Sequence, residues 1–98
     1  MQDDPELRRL LWFLLGGSRG GPNRARIIRR LRERPGNQNQ VAEELGIQYK
    51  AVQHHMKVLV RNSLAVATGE KYGITYSLSP WLESHIKLFE DVCKKLSL

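Results

Sequence analysis

The chain has 98 residues, which suits one domain and leaves no room for a second substantial core. Its hydrophobic share of 41% and charged share of 27% lie near the globular average and argue against wholesale disorder. A formal net charge of +6 favours a polyanionic partner, and a single cysteine, Cys93, excludes an internal disulfide or a cysteine-rich zinc module.

One cysteine also fits a reducing compartment. No stretch is long enough to cross a membrane, so no membrane partner is expected. The apolar run 10–15 (LLWFLL) is short and follows Asp3, Asp4 and Glu6, where a secretory signal carries positive charge. The expected location is cytoplasmic. The basic charge is uneven: residues 16–36 carry seven arginines (Arg19, Arg24, Arg26, Arg29, Arg30, Arg32, Arg34) against Glu33 alone, while the other segments nearly cancel.

The first predicted element is a short N-terminal helix. Asp4 suits its cap, Pro5 its first position, and Asp3 and Glu6 the positive end of its dipole. Leu7, Leu10, Leu11, Leu14 and Leu15 recur at helical spacing, and Trp12 and Phe13 are apolar too. Apolar residues nearly all round imply burial on more than one side, which a second subunit can supply. The glycine-rich stretch 16–21 ends this helix as a flexible connector.

A second helix is expected over 24–34, capped by Asn23 and stopped by Pro35-Gly36. Ala25, Ile27, Ile28 and Leu31 would face inward and the arginines outward, with Arg24 and Arg26 as candidates to brace a phosphate backbone. Val41, Ala42 and Leu45 mark a third, short helix closed by Gly46, with Ile47 plugging the angle before the next element. Glu43 and Glu44 read as solvated surface.

Residues 48–62 (QYKAVQHHMKVLVRN) form the helix around which the chain is organised. Val52, Met56, Leu59 and Val60 make one stripe at about 100° per residue, with Lys50, His54, Lys57 and Arg61 opposite and Gln53 between. His55 flanks the stripe as a structural histidine, and His54 and His55 diverge too far to chelate. A short helix, a glycine turn and a longer helix have the proportions of a helix-turn-helix. On its own the charged face is ordinary solvated surface; in this setting it suits phosphates and base edges.

The period then changes to two. Leu64, Val66 and Thr68, then Ile74, Tyr76 and Leu78, alternate around the tip Gly69-Glu70-Lys71-Tyr72-Gly73 as a hairpin. Behind a helix-turn-helix such a hairpin is a wing, reaching out through Lys71 and Tyr72. Ser79 and Pro80 open one final helix with a wide apolar face of Trp81, Leu82, Ile86, Phe89, Val92, Cys93 and Leu96. The two terminal helices are expected to pair two subunits about a two-fold axis through Leu7, Leu11, Leu14, Trp81, Ile86, Phe89 and Leu96. The competing arrangement packs them on each other within one subunit.

Between Asn23 and Pro80 the wording "VAEELG-I-QYKAVQHHMKVL", preceded by NRARIIRRLRERPG and followed by YGITYSLSP, resembles winged-helix transcription regulators of the ArsR-like superfamily, especially small archaeal members. The resemblance implies a mainly α fold with a small β-hairpin. It also implies one domain over 1–98, with a winged helix-turn-helix core (23–79) between dimerisation helices (1–16 and 80–98). It implies a homodimer on a pseudo-palindromic double-stranded DNA site. The organising helix would lie in the major groove, with Gln48, Tyr49, Lys50, Gln53, His54 and Lys57 facing DNA and Lys71 and Tyr72 on the wing. Metal-sensing members carry a cysteine motif on the helix equivalent to 38–45, where this chain has QNQVAEEL.

From the residues themselves, Lys50, Lys57 and Arg61 are expected on phosphates and Gln53 on adenine. Tyr49 suits either core packing or a phosphate. There is no glycine-rich phosphate loop, carboxylate cluster or nucleophile–base pair, so no enzyme, metal or cofactor is expected, and no effector is indicated. The leading expectation is a repressor that reads sequence. The alternative is an architectural or protein-interaction module with weak or non-specific DNA binding, which an apolar exposed face would favour.

Overall fold

A computed structural model of the chain describes residues 3–98; Met1 and Gln2, part of the expected N-terminal segment 1–16, lie outside the described residues. Helix α1 (Pro5–Leu11) begins where Asp4 accepts a hydrogen bond from the Leu7 amide at 3.1 Å. It runs on into a π-helical turn, Trp12–Gly16, which the apolar spacing did not indicate. Helix α2 (Gly21–Glu33) starts two residues before the expected cap. Pro22 fits the first turn, and Asn23 lies inside that turn, where its Oδ1 accepts from Arg26 at 3.1 Å.

Helix α3 (Gln38–Leu45) is opened by a reciprocal capping box between Asn37 and Gln40. It ends at Gly46, whose φ of 66° is the left-handed conformation that glycine adopts without steric cost. Helix α4 (Tyr49–Arg61) follows, with Val52, Met56 and Leu59 fully buried. Its end is a Schellman turn: Leu64 N–H donates to the Leu59 carbonyl at 2.8 Å and Ser63 N–H to that of Val60 at 3.0 Å. Ser63 takes the left-handed position with φ 61°.

Strands β1 (Ala65–Thr68) and β2 (Thr75–Leu78) pair antiparallel, Ala65 opposite Leu78 and Thr68 opposite Thr75. Gly36 adds a one-residue bridge to Tyr76 on the other edge. Leu64, Tyr76 and Leu78 face the core, but Val66 and Ile74 are exposed, because the hairpin leaves the body immediately after its base. The single C-terminal helix expected from the sequence is two: α5 (Pro80–Glu83) and α6 (Ile86–Lys95). The break has a local cause. Ser84 Oγ and His85 Nδ1 both bond the Trp81 carbonyl, at 3.1 and 2.9 Å, and the His85 amide turns to Leu82 instead.

Four residues expected between subunits, Leu7, Leu11, Leu14 and Phe89, are buried inside this one chain. The reason is that α1 lies along α6 and covers its apolar face, clamped by Arg8 to Asp91 at 3.1 Å. Leu96 closes over Gly16, Trp81 Nε1 donates to Asp4 at 2.8 Å, and Ile86 is half-buried. The apolar side chains left outside on this end are Trp12 and Phe13, the latter 64% exposed. The architecture is a winged helix-turn-helix with added helices at both termini. Among the described residues, no helix is long and apolar enough to cross a membrane, and no group of three or more histidine, cysteine or acidic side chains is arranged to hold a metal.

Candidate nucleic-acid interface

Burial of Val52, Met56 and Leu59 fixes the rotation of α4, and that rotation sets what faces out. Gln48, Tyr49, Lys50, His54, Lys57 and Arg61 are exposed and Gln53 is half-buried. The Tyr49 ring is 45% exposed, so it belongs to the surface rather than the core. Across from α4 stands the hairpin tip, where Tyr72 is 95% exposed and the Lys71 ammonium lies 5.7 Å from its ring centroid. Between them runs an open groove of about 490 Å³. Tyr49, Gln53 and Lys57 form one wall, residues 71–76 the other, and Asn37, Gln38 and Asn39 the end.

The electrostatics of this face follow from what is missing around it. No ion pair among the described residues involves Lys50, Lys57, Arg61 or Lys71. Uncompensated cations on both sides of a groove focus a positive potential into it.

Arg24 is not part of this face. It is buried, and its Nη1 donates to the Leu14 carbonyl at 2.9 Å and to Ser18 Oγ at 2.6 Å. Burial pulls its guanidinium below the usual arginine range. The cause is helical phase: Arg24 shares the inward stripe of Ile27, Ile28 and Leu31. Arg26 is exposed but engaged, with Nη2 donating at 2.6 Å to the Leu45 carbonyl at the end of α3. It braces the turn of the motif.

His55 falls on the stripe of Val52, Met56 and Leu59 and is buried, with Nδ1 lacking a hydrogen-bond partner. Burial first, then the Arg24 charge, pushes its imidazole below its ordinary value. His54, one residue on, is exposed. Sequence reasoning missed Asn37, Gln38 and Asn39 as groove residues. The available signal was the capping box, which assigns Asn37 and Gln40 to the backbone and leaves Gln38 and Asn39 free to face outward.

Comparison with known proteins agrees with this geometry. A protein-family model described as "Bacterial regulatory protein, arsR family" matches residues 21–64. No curated protein matches the chain. Among solved structures, Rv0081 of M. tuberculosis superposes with a TM-score of 0.70 at 19% identity, over 97% of this chain and 95% of that one. A probable transcriptional regulator from Pseudomonas aeruginosa gives 0.69 at 16% identity, over 95% of this chain and 73% of that one. The homodimeric winged helix-turn-helix DNA-binding domain of Mb0332 from Mycobacterium bovis, a possible ArsR-family transcriptional regulator, gives 0.67 at 16% identity, over 97% and 89%. At such identities the likeness establishes the fold.

Proposed function

We propose, from the ArsR-family helix-turn-helix that residues 21–64 carry, that this protein is a homodimeric regulator that binds double-stranded DNA at a pseudo-palindromic site and represses transcription by occupying a promoter. The matched family is one of regulatory proteins, not enzymes. The observation that carries the reading is a groove with Gln53 and Lys57 on one wall and Lys71 on the other, with Lys50 and Arg61 exposed on the same helix and none of the four cations in an ion pair among the described residues. Lysine and arginine on phosphates give affinity without sequence information, and glutamine paired with adenine gives discrimination. Gln48, Tyr49, Lys50 and His54 extend the contact along α4, and Tyr72 extends it at the tip. Arg24 is excluded by burial, and Arg26 acts through the turn it braces.

The dimer reading draws on the homodimeric Mycobacterium bovis neighbour and on Trp12 and Phe13, exposed on the π-helical turn. These two replace Leu7, Leu11, Leu14 and Phe89 as the surface offered to a second copy. The core over 23–79 carries the DNA face, and the helices on either side carry the pairing surface.

A second reading has one observation in its favour. Val66, Tyr72 and Ile74 leave apolar surface on the hairpin, as a protein-interaction module would. Selection of bound DNA from a random pool separates the two. The regulator enriches a two-fold symmetric motif with half-sites about one helical turn apart. No enrichment over shuffled sequence rejects the specific-regulator reading.

A further inference from the structure

Tyr76 stands at the base of the hairpin and is gripped at both ends. Its backbone exchanges two hydrogen bonds with Gly36, at 2.8 and 3.0 Å. Its phenol oxygen accepts from Gln38 Nε2 at 2.9 Å. One grip comes from the four-residue strap, residues 34–37, that joins α2 to α3, and the other from Gln38 at the start of α3, so they tie the hairpin to the helix-turn-helix itself. The strap has a firm seat. A Cβ on Gly36 would come within 2.7 Å of Arg30 Nη2, so glycine lets the strap lie directly on that guanidinium. Arg30 is buried and held in turn by Glu44 and by the carbonyl of Arg34, each at 2.5 Å.

The base of the hairpin packs on α2 and α4, but beyond that base little holds its direction. Every residue from 66 to 75 is exposed. The groove of about 490 Å³ and a second open groove of about 390 Å³, lined by Met56, Lys57, Val60, Arg61 and Ala67, both border Tyr76. Tyr76 itself is buried at the base of the hairpin, and the far end of its ring is fixed by the Gln38 amide.

We infer that the Gln38–Tyr76 hydrogen bond is a latch that sets the separation of the hairpin tip from α4, making Gln38 and Tyr76 positioning residues for the DNA contacts of Lys71 and Tyr72. The inference rests on the DNA-binding reading above. Physically, the latch fixes before binding the span between Lys57 on one wall and Lys71 on the other. A preset span spares the complex the ordering cost of a swinging hairpin.

The test is a set of variants, Tyr76→Phe, Gln38→Ala and Lys71→Ala, singly and in pairs, in the full chain. Each is titrated against a fluorescent duplex carrying the selected site. Amide exchange without DNA is followed in parallel at Val66 and Thr75, which face the partner strand. Lys71→Ala alone is expected to weaken binding about fivefold, the scale of one hydrogen-bonded contact. Tyr76→Phe and Gln38→Ala each weaken it about threefold, and combining them adds nothing further. In either background, Lys71→Ala has lost most of its effect. Exchange at Val66 and Thr75 speeds up in both variants, while the amides of α6 are unchanged.

An undiminished Lys71→Ala effect in the Tyr76→Phe background overturns the latch. So does a loss seen in Gln38→Ala but not in Tyr76→Phe, which would make Gln38 a direct contact. Failure of the DNA reading is separate: the wild-type chain then prefers no duplex over a shuffled one. In that case unchanged exchange in the variants overturns the latch on its own, and faster exchange retains it.

Discussion

Helices α2 and α4 are both thirteen residues long and both basic, yet they use their cations in opposite ways. All five arginines of α2 are engaged within the molecule. Arg24 bonds the Leu14 carbonyl, Arg26 the Leu45 carbonyl and Arg30 the Glu44 carboxylate, and Arg29 and Arg32 pair with Glu90. Lys50, Lys57 and Arg61 of α4 have no carboxylate partner among the described residues. The forked guanidinium suits carbonyls and carboxylates held at fixed geometry, and lysine leaves a mobile point charge in solvent. The count of positive residues therefore points to α2, and the uncompensated charge points to α4.

The largest expected effect comes from removing that uncompensated charge. The triple variant Lys50→Ala, Lys57→Ala, Arg61→Ala should flatten the dependence of log affinity on log salt by about three, one for each phosphate contact. Its melting temperature should hardly change, since the three side chains are exposed. Loss of two charges on α2, by Arg29→Ala with Arg32→Ala, should leave the salt dependence as it was. Salt titrations of the two variants side by side check this. Equal flattening in both would erase the contrast between the helices.

The next effect is on folding. Arg24→Ala strips the donor from the Leu14 carbonyl and Ser18 Oγ in a buried site and should destabilise the chain by about 2 kcal/mol, read from urea unfolding. DNA affinity of the folded protein should be unaltered. A weakened affinity with full stability would restore Arg24 to the DNA surface.

Much of the frame was legible in the sequence, because it depends on local rules. Val52, Met56 and Leu59 fixed the inward face of α4, Gly46 fixed the turn, and Ser79-Pro80 fixed the start of α5. The error at Arg24 came from giving the chemistry of a residue type more weight than its position. Arg24 sits three and four residues before Ile27 and Ile28, so its phase placed it inside, whereas for His55, three after Val52, phase was followed and burial agrees. Other features depend on contacts distant in the chain. Arg32 and Glu90 are 58 positions apart, and nothing near either signals the pair. The burial of Leu7, Leu11 and Phe89 within one subunit likewise required knowing that α1 lies along α6.

A smaller effect sharpens the reading of α4 itself. Lys57→Ala should weaken binding similarly on every sequence, whereas Gln53→Ala should relax preference at one base position, by about 1 kcal/mol of discrimination. Binding to a panel of single-base variants of the selected site separates them. Identical profiles for the two would mean that this wall of the groove does not divide into phosphate-reading and base-reading positions.

The smallest effect concerns the one place where the two helices share a charge problem. His55 of α4 is buried beside Arg24 of α2, and the other charged group acting on it is His54 of its own helix. No carboxylate is among the groups that act on it, so burial and the Arg24 charge both hold its folded pKa below the ordinary imidazole value of 6.5. The unfolded chain therefore takes up a proton first as pH falls. Stability from neutral His55 is complete above pH 6.5, declines as pH falls through that value, and stops declining once the folded imidazole is itself protonated. The carboxylates of Asp4, Glu44 and Asp91, bonded to Trp81, Arg30 and Arg8, titrate below their usual range and act in a lower window. Between pH 7 and 5, then, the melting temperature of the wild type should fall more steeply than that of His55→Gln. Arg24→Met, which removes the neighbouring charge while keeping a long side chain, should fall less steeply than the wild type. Parallel slopes for all three would mean that protonating this junction costs the fold nothing, and that the contact between the inward arginine of α2 and α4 is not electrostatically strained.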